Sequence, residues 1–245
     1  MSEAARLPLQ NAKAACSRRL IFLSITSQLG ADESSAWIDS NFFSKRYANI
    51  FERIFKMAND NLKGKKVAIL VTDGFEQVEL LQPREALDKA GAETKVVSLK
   101  QGLVKGWDMN KWGKEVPSDL TLDNARASDF DALLLPGGVI NPDKLRIEPK
   151  AVAFVKSFFD ANKPVAAICH GPWTIIEAGV AHGRKIASWP SLKTDLRNAG
   201  AEWIDKEAVT DGNLVTARKP DDIPAFNRAM IELFSGKTKQ QRPAA

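Results

Sequence analysis

Apolar positions divide this chain near residue 57. Beyond that point, short continuous apolar runs alternate with stretches in which apolar residues recur every three to four positions. That is the pattern of buried strands followed by amphipathic helices. Lys66–Val71 (KVAILV) reads as a strand covered on both faces, since a strand with one wet face would alternate. Glu76–Ala90 reads as a helix closed by Gly91, with Pro83 expected to kink it or mark an irregular turn. Thr94–Leu99 is a second strand, and the Gly- and Trp-rich stretch from Gly102 to Pro117 is a hairpin or excursion. Ala132–Leu135 is a third strand, closed by Pro136-Gly137-Gly138. Pro149 opens a helix whose Val152, Val155, Phe158 and Phe159 form a core-facing stripe. Pro164–Ile168 is a fourth strand that stops at Cys169-His170-Gly171, and a helix follows over Trp173–Ala178. Ala208–Val215 is a hairpin around Asp211-Gly212, and a last helix after Asp221-Asp222 carries Phe226, Met230, Leu233 and Phe234 on one face. Strands alternating with helices predict an α/β fold, a parallel sheet with helices on both sides.

Residues 1–56 lack this rhythm, and three readings of them stand open. Met57-Ala-Asn-Asp-Asn-Leu-Lys-Gly-Lys-Lys has the character of a natural protein start, which would make residues 1–56 an artefact of start assignment. Residues 1–30 carry Arg6, Lys13, Arg18 and Arg19 against Glu3, a weak likeness to a transit or signal segment. Phe43, Tyr47, Ile50, Phe51 and Ile54 share one helical face, which suits a helix docked on the body or on a partner subunit. The division is therefore an extension over 1–56 and a catalytic domain over 57–245.

Composition narrows the function classes. Hydrophobic residues are 44% and charged residues 27% of the 245, which excludes collagen-like and largely disordered chains. No apolar run of about 18 residues occurs, so no membrane-spanning helix and no membrane partner is expected. The net charge is +5, but its basic clusters at Lys63–Lys66 and Lys237–Arg242 are short and flanking, which argues against nucleic acid as a partner. Two cysteines, Cys16 and Cys169, form no disulfide framework and point to a reducing compartment such as the cytoplasm. With only two histidines and no CxxC or HExxH pattern, neither a metal site nor a cofactor is expected.

Ligands in such sheets bind at the carboxyl ends of the strands. Three ends carry unusual text: Thr72-Asp73-Gly74-Phe75-Glu76, Pro136-Gly137-Gly138 and Cys169-His170-Gly171-Pro172. If those strands are neighbours, the three meet in one crevice. Cys169 lies between an apolar strand and a helix, with small Ala167 and Gly171 on either side, as a sharp strand-to-helix turn requires. The helix N-terminus is expected to lower the thiol pKa and favour a reactive thiolate; the plainer reading is a buried structural cysteine. His170 is a candidate acid or base, although a residue next to the nucleophile usually points elsewhere and is better aligned by a carboxylate from another segment. Asp143, in Asn141-Pro142-Asp143, is such a carboxylate or else a cap or turn residue. Glu76 is either a dipole-favoured acid in a first helical turn or a carboxyl facing the thiol, holding its proton through burial. Gly137 and Gly138, with Gly171, are candidates for close approach to a ligand and for donating N–H groups to an oxyanion.

Four segments taken in order then carry a family resemblance: Asp73-Gly74-Phe75-Glu76-Gln77-Val78-Glu79-Leu80, Leu135-Pro136-Gly137-Gly138, Pro164 to Pro172 (PVAAICHGP), and Ser188-Trp189-Pro190-Ser191-Leu192-Lys193. Over roughly residues 64–236 the chain resembles the PfpI-type branch of the superfamily that includes the parkinsonism-associated deglycase. The resemblance implies a flavodoxin-like three-layer sandwich with mostly parallel sheet and a cysteine nucleophile elbow. It implies Cys169 as nucleophile, Glu76 as its carboxyl partner, and His170 oriented by an acid from a neighbouring subunit, so that dimers or hexamers complete the site. In PfpI-type peptidases that acid is a Glu; the matching position here is Asp143, one methylene shorter, in a loop one residue longer. The activities it implies are deglycase or glyoxalase action on small aldehydes and glycated proteins, intracellular peptidase action, and general stress protection. A redox-sensing thiol or holdase without turnover is the alternative. A glutamine amidotransferase is disfavoured because no His-x-Glu pair follows the nucleophile, and a serine hydrolase because Gly-x-Ser-x-Gly is absent.

Overall fold

A computed structural model describes residues 61–236, and the readings placed on residues 1–56 lie outside them. In chain order the elements are β1 (Lys66–Leu70), α1 (Gln77–Lys89), β2 (Glu93–Ser98), β3 (Leu103–Asp108), β4 (Lys111–Pro117), β5 (Leu120–Thr121) and β6 (Ala132–Leu135). There follow α2 (Ile140–Arg146), α3 (Pro149–Asp160), β7 (Val165–Ile168), α4 (Pro172–Glu177), β8 (Lys185–Ile186) and α5 (Lys193–Asn198). The chain then forms β9 (Glu202–Trp203), β10 (Val209–Asp211), β11 (Leu214–Ala217) and α6 (Ile223–Phe234).

Seven strands make one sheet in the order β10-β11-β7-β6-β1-β2-β5. Neighbours are parallel except the β10–β11 hairpin. The central strands are continuous apolar runs because both faces are covered. Val67 and Ile69 of β1, Leu134 of β6 and Ile168 of β7 enter one core with Leu80 and Leu87 of α1 and Phe226 and Met230 of α6. Their alternates Ala68, Leu70, Leu133, Leu135 and Val165 enter a second core with Leu145 of α2, Phe154 and Phe158 of α3, Ile175 of α4 and Leu196 of α5. The result is the expected α/β sandwich with its mostly parallel sheet. Gly102–Pro117 forms the β3–β4 antiparallel hairpin, outside the main sheet.

Two details differ from the sequence expectation. Helix α1 runs through Pro83, which is buried on its sheet-facing side; the N–H that proline lacks would have bonded the carbonyl of Glu79. In α3, Ala151 and Phe154 join Val155, Phe158 and Phe159 in the buried stripe while Val152 is only partly covered. For function the important point is strand order. β7, β6 and β1 lie side by side, so the three unusual strand ends converge at one edge of the sheet.

Candidate active site

Cys169 occupies the turn from β7 into α4 with φ 61°. This left-handed conformation costs a residue with a Cβ about 1–2 kcal/mol, so the surroundings must impose it. They do so from both directions along the backbone. Cys169 N–H donates to the Ala217 carbonyl at 3.1 Å, and its carbonyl accepts from Trp189 N–H at 2.9 Å. The small neighbours are also necessary. A Cβ on Gly171 would lie 2.6 Å from the Leu135 carbonyl oxygen, and one on Gly137 would lie 2.7 Å from Cys169 Cβ. The elbow read from the sequence is therefore present, with its thiol 6% exposed.

The carboxyl that faces this sulfur belongs to Glu79, which corrects the expectation placed on Glu76. Glu76 precedes α1 in an extended conformation, and its carboxylate accepts from the Met109 and Gln77 N–H groups, toward the β3–β4 hairpin. Glu79 lies one turn later on the helix face that packs against the sheet, beside Leu80 and Pro83, and is fully buried. Its Oε2 accepts from Gly137 N–H at 3.0 Å. Its Oε1 makes no further hydrogen bond of ordinary geometry among the described residues. Burial, helped by the charge of nearby Glu76, raises the Glu79 pKa to about 8 against the bonds from Cys169, Gly137 and Gly138.

The thiol is shifted the same way. Burial and the Glu79 charge raise Cys169, and the N–H groups of Gly138 and His170 only partly offset them. The sequence leads to an expected lowering by the helix N-terminus; in the fold α4 has only six residues, and burial of the thiol acts in the opposite direction. A charge on Glu79 disfavours ionisation of the thiol beside it.

His170 turns back toward its neighbour rather than away from it. Nδ1 lies 3.2 Å from Cys169 Sγ, and Nε2 lies 3.3 Å from Ser191 Oγ. Trp173 meets the ring edge-on at 5.1 Å between centroids, and Trp189 stacks on it at 6.0 Å. Burial in this aromatic setting lowers its pKa to about 4, so the ring is neutral at pH 7. Asp143 is exposed on α2 and makes no hydrogen bond to His170 among the described residues. Within one chain, the group aligning His170 is Ser191, from the quoted Ser188–Lys193 segment.

The three candidate glycines separate by what their amides do. Gly137 N–H is taken by Glu79, and Gly171 N–H by the Ile168 carbonyl at 2.9 Å. Gly138 N–H is directed at Cys169 and Glu79, and His170 N–H joins it at the sulfur. The anion-facing pair is thus Gly138 and His170, not all three glycines. Glu79 and Ser191 are the residues that sequence reasoning passed over. A glutamate set on the apolar stripe of Leu80, Pro83 and Leu87 was the available signal for the first.

Comparison with known proteins gives the family. Residues 65–233 match the DJ-1/PfpI family. The chain is 43% identical over 169 residues to deglycase PfpI of Pyrococcus furiosus, covering 69% of this chain and 99% of that protein. It is 45% identical over 173 residues to general stress protein 18 of Bacillus subtilis (70% and 98% covered) and 44% identical over 172 residues to protein/nucleic acid deglycase 2 of Escherichia coli (69% and 98%). Among solved structures it resembles DJ-1beta of Drosophila melanogaster, with TM-score 0.64 and 29% identity over 70% of this chain and 91% of that one. With a thiol on a strained elbow, a buried glutamate beside it and relatives matched over nearly their full length, the chain belongs to the DJ-1/PfpI family.

Proposed function

We propose that this protein is a cysteine-dependent deglycase of the PfpI type, acting on small dicarbonyls and on their adducts with proteins. The observation that carries this reading is the buried pair of Cys169 and Glu79, with the Gly138 and His170 amides turned to the sulfur. A buried acid that keeps its proton near pH 7 can give it to a developing alkoxide and take it back later. With methylglyoxal, Sγ bonds to the aldehyde carbon and the thiol proton passes to the carbonyl oxygen, giving a hemithioacetal. Transfer of the proton on that carbon to the adjacent carbon, and of the new hydroxyl proton to the former ketone oxygen, yields a lactoyl thioester. Water then releases lactate and restores the thiol. On a protein adduct, the same attack expels the amine. The names of the relatives support this substrate class, three of the four compared being deglycases or stress proteins of bacteria and archaea.

Peptide hydrolysis fits less well. A relative of 44% identity in Bacillus subtilis is named a putative cysteine protease. Here, however, burial keeps the imidazole neutral and weakly basic, and within one chain its partner is the Ser191 hydroxyl, which suits an aldehyde better than an amide. The reading is tested by methylglyoxal consumption with lactate detected as product. Cys169→Ala should reduce turnover to the uncatalysed rate; wild-type turnover in that variant would refute the proposal.

The same site suits a second copy of the chain. Val139 and Ile147 flank α2 with 55% and 79% of their surface exposed, and Trp189 over His170 is 39% exposed. We propose a homo-oligomer in which a neighbouring copy covers these exposed apolar side chains and brings its own Asp143 toward His170. Sedimentation should give a dimer or hexamer that Ile147→Glu dissociates; a wild-type monomer at micromolar concentration would count against it. We propose the cytoplasm as its compartment, since a free catalytic thiol suits a reducing environment.

A further inference from the structure

Asn141 is the most thoroughly committed polar side chain near the site, and nothing above gives it a role. It is fully buried. Its Oδ1 accepts from Thr72 N–H at 2.8 Å, at the end of β1. Its Nδ2 donates to the Pro136 carbonyl at 2.9 Å and the Gly137 carbonyl at 3.2 Å, at the end of β6. The Gly137 carbonyl also accepts from Glu76 N–H at 3.3 Å.

The Gly137 carbonyl belongs to the same peptide unit as the Gly138 N–H. Across a trans peptide these two groups point in opposite directions. Holding the carbonyl on the Asn141 side therefore aims the N–H at Cys169 and Glu79. The point matters because this peptide joins two glycines, and a Gly-Gly peptide inverts more readily than any other. Neither glycine can be stiffened by a side chain. A Cβ on Gly138, at φ +77°, would lie 2.6 Å from Glu76 N, and one on Gly137 would lie 2.5 Å from Glu79 Oε2. Steric demand thus forces the two flexible residues, and hydrogen bonding must choose the orientation.

We infer that Asn141 is a positioning residue, which locks the Gly137–Gly138 peptide so that its N–H faces the sulfur and the oxyanion formed there. The catalytic part of this inference rests on the deglycase reading; the thiol part does not. Asn141→Asp keeps the acceptor for Thr72 and cannot make both donations: protonated by burial it has one donor for two carbonyls, and ionised it repels both and offers an acceptor to Gly138 N–H in the inverted peptide. The test is alkylation of Cys169 by iodoacetamide as a function of pH, read on the Cys169 peptide by mass spectrometry, together with methylglyoxal kinetics and thermal unfolding. In folded Asn141→Asp the alkylation midpoint should rise by about one pH unit as the sulfur loses a donor. The kcat should fall about 100-fold, as for loss of an oxyanion donor, with KM little changed. Asn141→Ser, which keeps one donor in less volume, should move both in the same direction by less, and it decides the matter if the Asp variant does not fold. An unmoved midpoint in a folded variant overturns the inference, even if kcat falls, because a merely structural role would give that result. Should wild-type protein fail to consume methylglyoxal, the deglycase reading fails, while the alkylation midpoint still decides the role of Asn141.

Discussion

Glu79→Gln should lower kcat for methylglyoxal about 100-fold and, at the same time, make the protein more resistant to unfolding in alkali. The two effects have one cause. Burial holds the Glu79 pKa at about 8, against 4.5 for an ordinary glutamate. Between those values the folded protein binds a proton that the unfolded chain has released. The stabilisation from the neutral buried acid is therefore complete below pH 4.5 and is lost as pH rises through about 8. Glutamine keeps the shape and never ionises, so it escapes that loss. Relative to the variant, wild-type stability should fall by roughly 4 kcal/mol from pH 5 to pH 9, as measured by urea unfolding at both values. The variant loses the proton that the alkoxide requires, and its turnover falls while its fold is firmer. Parallel pH–stability curves for the two proteins would show that Glu79 is an ordinary ionised carboxylate.

Gly137→Ala should nearly abolish activity and destabilise the fold by about 3 kcal/mol. The added methyl would lie 2.5 Å from Glu79 Oε2, 2.6 Å from the Ile168 carbonyl oxygen and 2.7 Å from Cys169 Cβ. Two of these belong to the β7 backbone and the elbow itself, which cannot yield without opening the site. Gly179→Ala is the control. The two positions are opposites: Gly179, at φ +70°, brings a left-handed strain that Gly137 does not carry, but nothing lies within 4 Å of its new methyl. It should cost about 1 kcal/mol and leave turnover intact. Chemical denaturation and methylglyoxal kinetics on both variants check the contrast, and a Gly137→Ala protein as stable and active as Gly179→Ala would contradict the close packing at Gly137.

The scaffold was readable because burial on two faces writes itself into sequence. Runs such as Lys66–Val71, Ala132–Leu135 and Pro164–Ile168 admit little but central strands, and their endings marked the crevice. The elbow was readable for a related reason, since Cys169 stands between a buried strand and residues small enough for a sharp turn. Proton chemistry was harder to read. Glu76 and Glu79 are three residues apart, one helical turn, and the choice between them depends on where α1 begins. The extended conformation of Glu76 moves the start to Gln77 and turns Glu79 inward. The direction of the thiol shift depends on how much water the folded chain excludes, and that depth is a tertiary quantity. The amide directions of Gly137, Gly138 and Gly171 depend on partners far away in sequence, such as Glu79 for Gly137.

The most direct measurement sets Glu76→Gln beside Glu79→Gln in methylglyoxal turnover, with both proteins shown to be folded. If the buried carboxyl at the elbow is the acid of the reaction, Glu79→Gln loses about 100-fold in kcat while Glu76→Gln, whose carboxylate faces the Met109 and Gln77 amides, stays within about threefold of wild type. Loss on replacing Glu76 with retention on replacing Glu79 would contradict it.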